Sequence, residues 1–348
     1  MLKALWLTSL LLAALAVAGM LSLVVRRIVL DRLEVKRQKR RKRLMQRVIA
    51  AVEGDETEGP AALAAALRAS GADLAADILF DLSLIVRGQT MDRLIVVAHD
   101  LGVVAAMLRR LSNGRSRSQV VAARFLARFG GTEAVPALKR AARDAKPEVR
   151  LAATEALIEL DAIDDVAAMV RDLRLQDLHN TEAASRLFRK LPATLSGQIT
   201  SLAAGADDVR VRLLALEALG AGGSYEALPV ILDATTHPAI DVRCEAFRAL
   251  AILGHPAAAA AIGTGLDDPA WEVRTAAGQC AGRIGLTAMI PELARLLDDE
   301  HWWVRYRSAE ALMALGAGGR EVLRAVERQP SRAGRIAQAM LAQAEMAP

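Results

Sequence analysis

The side chains able to do chemistry are few and scattered. Five histidines, His99, His179, His237, His255 and His301, share no metal-binding spacing, and no H-E-x-x-H occurs. His237 and His255 each precede a proline and read as solvated loop residues. Gly263-Thr264-Gly265 lacks the remaining glycine and the preceding strand of a dinucleotide fingerprint. No P-loop and no G-x-S-x-G elbow is present. Cys244 and Cys280 cannot build a disulfide framework or a cysteine zinc site. Cys244 reads as partly buried and inert, and Cys280 as core. What remains is recognition chemistry. Trp271, Trp302 and Trp303 are three of the four tryptophans, with Tyr306 and Arg307 one turn on. Glu272, Gln279 and Glu310 fall on the exposed side beside them. Trp, Tyr and Arg dominate binding hot spots, and an aromatic, acidic groove would take a basic or amphipathic helix. A second reading of the same rings is a seal against a C-terminal cap helix around 335–346.

The elements that must carry these residues announce themselves by repetition. Val-Arg occurs at Val149-Arg150, Val211-Arg212, Val242-Arg243, Val273-Arg274 and Val304-Arg305, in steps of 62 and then 31 residues. The skipped copy falls at Asn180-Thr181, and an upstream copy begins at Ser118. Four residues after each Val position stands Ala122, Ala153, Ala184, Ala215, Ala246, Ala277 or Ser308. Twelve after it stands Gly130, Asp161, Pro192, Gly223, Gly254, Gly285 or Gly316. Pro136, Pro229 and Pro291 keep the same period. Apolar or small residues at positions 0, 4, 7, 8 and 11 mark one face of a helix. The glycine column suits a left-handed residue that ends a helix, and proline is tolerated in the first turn of the next one. Each unit is therefore two short helices that bury their faces only by stacking on neighbours. Asp144, Asp207, Asp208, Asp267, Asp268, Asp298 and Asp299 precede the Val-Arg helices as N-cap candidates. They are also candidate partners of a structural ladder of Arg150, Arg212, Arg243, Arg274 and Arg305.

Composition agrees with an all-α chain: 53% of the residues are hydrophobic but only 3% aromatic, too few rings for a sheet-rich core. The net charge of +5 is unevenly spread. Ala4–Val25 is 22 residues without a charge, about 33 Å as a helix, enough to cross a hydrocarbon core. Arg26–Arg47 then carries 11 Lys or Arg against Asp31 and Glu34, and residues 48–348 sum to −5. An acidic folded part argues against a general nucleic-acid surface. Ala16-Val17-Ala18 resembles a signal-peptide cleavage site, but the apolar run continues past it. The basic flank predicts a single anchor with the N-terminus outside and the rest cytoplasmic, at an inner membrane. Arg37, Lys39, Arg40, Arg41, Lys42 and Arg43 are candidate contacts for anionic lipid headgroups.

Asp267-Asp268-Pro269-Ala270-Trp271-Glu272-Val273-Arg274 and Asp298-Asp299-Glu300-His301-Trp302-Trp303-Val304-Arg305 resemble the short HEAT-like repeats first associated with phycobilisome lyases. The resemblance covers roughly residues 115–330 and is specific for fold rather than for activity. It implies that the Val-Arg helices line a concave face. The whole chain also resembles a bacterial group of single-span HEAT proteins, which implies an accessory role beside a membrane glycosyltransferase making surface polysaccharide.

The expectation is an all-α, right-handed solenoid of HEAT-like helix pairs behind one transmembrane helix. The segments are an anchor (1–25), a basic juxtamembrane helix (26–50), a helical lead-in (51–114), about seven repeats (115–330) and a cap helix (331–348). The predicted function is a non-enzymatic, membrane-tethered cytoplasmic scaffold that binds a partner protein without a cofactor or metal. Its groove residues are Trp271, Glu272, Gln279, Trp302, Trp303, Tyr306, Arg307 and Glu310. The alternatives are a bilin lyase or isomerase and nucleic-acid binding through the basic stem.

Overall fold

In the computed structural model, residues 71–178 and 181–346 are described, together with Met20, Arg27, 42–46, Ala64, Ala65, Leu67 and Arg68. These residues are helical or lie in turns and short connections. The chain divides into two compact units, Met1–Ala137 and Leu138–Pro348.

The first unit contains α1 (Ala72–Ser83), α2 (Gln89–Asp100), α3 (Val103–Asn113) and α4 (Ser116–Phe129); α5 (Gly131–Ala141) spans the division. Its core joins Ile78, Leu79, Leu94, Val97, Met107, Leu111 and Leu126 to Phe125 and Phe129, whose rings stack at 4.5 Å. Polar groups that enter it are paired: Gln119 Nε2 donates to the Leu111 carbonyl, and Arg128 Nη1 to that of Ser83.

The second unit is a solenoid of helix pairs. After α6 (Pro147–Glu159), α7 (Val166–Leu173), α8 (Thr181–Arg189) and α9 (Ser196–Gly205) the pattern becomes regular. Long helices, the inner row that the HEAT resemblance implies, are α10 (Val209–Gly222), α12 (Ile240–Leu253), α14 (Trp271–Ile284) and α16 (Trp302–Ala314), and pack each on the next. Short outer helices alternate with them: α11 (Leu228–Ala234), α13 (Ala259–Leu266) and α15 (Ile290–Leu296). α17 (Ala317–Val326) and α18 (Arg332–Met346) follow. One continuous buried cluster runs from Ile158 to Met340.

The repeated columns have visible causes. The alanines of the fourth-position column are 0% exposed and Ser308 1%, because neighbouring helices close over them. Gly223, Gly254, Gly285 and Gly316 have φ between 68° and 82°, and Asp161 reaches 51°. That left-handed region is open to glycine and tolerated by aspartate. Pro192 cannot enter it and has φ −66°. Pro229 and Pro291 occupy first turns, whereas Pro136 lies inside α5, whose helix starts at Gly131.

Two glycines sit where inner helices approach closely. A Cβ on Gly220 would stand 2.8 Å from the Ala249 Cα, and one on Gly282 the same distance from the Ala311 Cα.

The expected transmembrane helix, and the single-pass inner-membrane placement drawn from it, do not stand. Among the described residues no helix is long and apolar enough to cross a membrane. The longest, α18, has 15 residues, about 22 Å of rise against a core of about 30 Å. Residues 4–25, on which the anchor was read, lie outside the described residues except Met20. Arg37, Lys39, Arg40 and Arg41 are also outside them, while Lys42 and Arg43 are described and exposed.

Candidate protein-interaction face

The arginine column is a set of joints between units. Arg243 Nη1 donates to the carbonyls of His237 (2.9 Å) and Pro238 (3.1 Å), which holds the guanidinium against its own loop. Its Nε and Nη2 then reach both oxygens of Asp268, 25 residues on, at 2.8 and 2.9 Å. Arg274 repeats the arrangement: Nη1 to Asp268 and Pro269 carbonyls, Nε and Nη2 to Asp299 at 2.9 and 3.0 Å. Side-chain exposures of 8–12% place both pairs close to fully buried. Arg150 is wholly buried and donates to the carbonyls of Leu173, Asp144 and Ala145 and to Asp177 at 2.8 Å. Among the described residues Arg212 donates to the Ala206 carbonyl alone; position 237, 25 residues on, is a histidine instead of an aspartate. Arg305 donates to the carbonyls of Asp299 and Glu300.

Of the N-cap candidates, Asp208 caps α10 by accepting from the Arg210 N–H. Asp268 and Asp299 sit two residues ahead of the caps. Their carboxylates accept the N–H of the cap residues, Ala270 and His301, at 2.8 Å each. Burial raises the Asp299 pKa, but the bonds from Arg274 and the His301 N–H outweigh it and hold the group below its ordinary value.

The tryptophans divide. Trp271 is half-buried, packs on the core and stacks on His301 at 5.5 Å with planes 9° apart. Trp302 and Trp303 are each 48% exposed. Trp302 stacks on Tyr306 at 5.1 Å and meets Trp303 edge-on at 4.7 Å. The Arg307 guanidinium lies 5.8 Å from the Trp303 ring centre and 5.5 Å from that of Tyr306, and pairs with Glu310 at 2.7 Å.

Gln279 and Glu310 line a pocket of about 440 Å³, with Arg248 and Arg283 beside them and Phe247 and Ala311 among its apolar residues. A second pocket of about 230 Å³ lies toward α10, lined by Leu213, Leu214, Glu217, Asp241, Glu245 and Arg248 among others. This face is less acidic than the sequence suggested. Glu217 pairs with Arg189, Glu245 with Arg248 and Glu310 with Arg307. Asp241 and Glu272, one residue before successive Val positions, make no ion pair among the described residues.

Two features escaped the sequence. The aspartates were visible as candidate partners of the arginine ladder, but not the +25 spacing of the pairs nor which member of each Asp-Asp pair takes part. In the column two residues before Val, Val209, Ile240 and Trp302 are exposed while Trp271 is half-buried, a division that the 31-residue period does not show.

Burial governs the remaining chemistry. It pushes the Cys244 thiol up to about 11 and that of Cys280 to about 12. His237 and His255 each accept a backbone N–H two residues on through Nδ1; His255 thereby caps the start of the short turn Pro256–Ala258, and His237 holds Ala239, the cap residue of α12. Among the described residues no group of three or more His, Cys, Asp or Glu side chains could hold a metal ion.

Residues 198–278 and 260–342 match the family model described as HEAT repeats. This stretch is built of HEAT repeats. No curated protein matches the chain. Among solved structures it is similar to an engineered protein at 20% identity and TM-score 0.35, covering 88% of this chain and all of the other. It is also similar to the karyopherin Kap121p bound to the SUMO protease Ulp1p, and to Kap121p bound to Pho4p. Both are at 14% identity and TM-score 0.47, covering 86% of this chain and 41% of the other. The chain thus spans about two-fifths of the length of Kap121p.

Proposed function

We propose that the HEAT repeats act as a scaffold that binds an amphipathic helix of a partner protein along the inner-helix face. The observation that carries this reading is the cluster of Trp303, Tyr306, Arg307 and Glu310 beside the pocket lined by Gln279. A chain with 3% aromatic residues leaves two indoles half in water at one end of its solenoid, and such rings are common anchors of interfaces. The self-paired charges on the face select for shape and apolar contact. The free carboxylates of Asp241 and Glu272 favour lysine or arginine on the partner helix. Binding of this kind needs no cofactor and no catalytic residue. No residue of the face selects a glycosyltransferase, a bilin or a nucleic acid as the ligand.

The test replaces Trp303 with photoreactive benzoylphenylalanine in the native host, then maps the crosslinked partner. Trp303→Ala and Arg307→Ala should abolish the adduct formed from a second photoreactive position, Gln279, while the melting temperature stays within a few degrees. A collapsed melt would mean that the rings seal the repeat end; adducts that survive both changes would remove the face from consideration.

A further inference from the structure

Two joints of the ladder are complete, and they show what such a joint consists of. In each, an arginine is fixed through Nη1 by two carbonyls of its own loop, which turns its Nε–Nη2 edge toward the following unit. There a carboxylate 25 residues on receives both nitrogens, Asp268 for Arg243 and Asp299 for Arg274. In the Arg274 joint a ring contact is added. His301, two residues past Asp299, lies flat on Trp271, three residues before Arg274.

The last unit has the first half of this joint and lacks the second. Arg305 Nη1 is fixed by the carbonyls of Asp299 at 2.7 Å and Glu300 at 3.0 Å, as in the joints before it. Position 330, where the aspartate belongs, is an exposed proline. Among the described residues no carboxylate pairs with Arg305. Trp302 occupies the column of Trp271, and its ring partners are Trp303 and Tyr306 of its own helix. Trp302 consequently remains 48% exposed, while Trp271 is half-buried.

We infer that Trp302 and Arg305 form a second binding site, which takes an acidic helix-opening loop of a partner protein. The ligand supplies a carboxylate to the Nε–Nη2 edge and, two residues later, a flat ring to Trp302. The loop Asp299-Glu300-His301 does both for Arg274 and Trp271. A pre-oriented guanidinium edge favours a bidentate carboxylate over a single point charge. This site adjoins the proposed groove through Trp302, which stacks on Tyr306 and meets Trp303 edge-on, but Arg305 lines no part of the pocket at Gln279 and Glu310. A second copy of the chain is a poor ligand, because its Asp268 and Asp299 loops already serve its own arginines.

The probe is the capped tetrapeptide acetyl-Asp-Asp-Glu-His-amide, the sequence of residues 298–301, titrated into the full chain. The Arg305 Nε–Hε and Trp302 indole signals should shift together and saturate. Asparagine in place of the second aspartate should weaken the peptide at least about tenfold. Arg305→Gln should do the same. Pro330→Asp should fill the site from within the chain, abolishing peptide binding and raising the melting temperature. That variant leaves Arg305 and its loop bonds in place, so its result does not depend on Arg305→Gln folding. The inference is overturned if the Arg305 signal does not move, or if the peptide binds Pro330→Asp as tightly as the parent. It is also overturned if sedimentation shows the chain self-associating through Arg305.

Discussion

Asp299→Asn isolates one joint of the ladder. Asparagine keeps an oxygen for the His301 N–H, so the cap at the start of α16 survives and only the charge opposite Arg274 is lost. Both members of the pair are nearly buried, at 8% and 11% side-chain exposure. Water therefore cannot replace the missing carboxylate. Removing one partner of a buried pair costs about 3–5 kcal/mol. Arg274 retains its bonds to the Asp268 and Pro269 carbonyls, which brings the expected loss to the bottom of that range or just below it, about 2–3 kcal/mol. For a unit the size of Leu138–Pro348 that is a fall in melting temperature of roughly 5–10 °C. The internal control is Asp267→Asn. Asp267 and its partner Arg295 are 65% and 57% exposed, and such a pair contributes about 0.5 kcal/mol or less. Urea unfolding followed by far-UV circular dichroism measures both, and m should stay constant. Equal losses in the two variants, or a loss below about 0.5 kcal/mol for Asp299→Asn, would refute the claim that the second aspartate of each pair joins the units.

The same joint predicts a pH dependence. Asp299 is held below its ordinary pKa of 3.8 in the fold, so the unfolded chain binds its proton first on acidification. The stability advantage of the parent over Asp299→Asn should be full at about pH 6 and shrink as pH falls below 3.8 toward the folded value, measured by urea titration. Gly282→Ala should cost about 1–3 kcal/mol, because its Cβ would press on the Ala311 backbone. Gly222→Ala meets no atom within 4 Å and should be neutral or stabilising by up to about 1 kcal/mol in thermal melts. Cys244 and Cys280 should resist a thiol reagent at pH 8 until urea unfolds the chain, since burial holds both thiols near 11 to 12; stoichiometric labelling of the folded protein would contradict their burial.

Much of the fold was legible in one dimension. A period of 31 residues fixes which positions repeat, and alanine, valine and glycine have one structural use each at theirs. Alanine lets helices touch, valine fills the core and glycine turns the chain at positive φ. Those are local demands on a residue's own backbone or volume, and a column of letters records them. The aromatic cluster was legible as a location, because Trp271 and Trp302 share a column. Its division was not, since a helical wheel treats the two alike. In the structure Trp271 is stacked by His301 of the next unit, while no ring of the following segment meets Trp302. Likewise Asp298 and Asp299 are the same residue type side by side, and their sequence does not say which one faces Arg274. The acidity expected of the groove is divided for a related reason: Glu310 pairs with Arg307 of its own helix, whereas Glu272 makes no ion pair among the described residues. Sequence alone therefore determined the repeating helix pair, because that depends on interactions within about 31 residues. Tertiary stacking decided which charges are satisfied and which rings stay in water, because a side chain's partner belongs to the next unit and its burial depends on what that unit places against it.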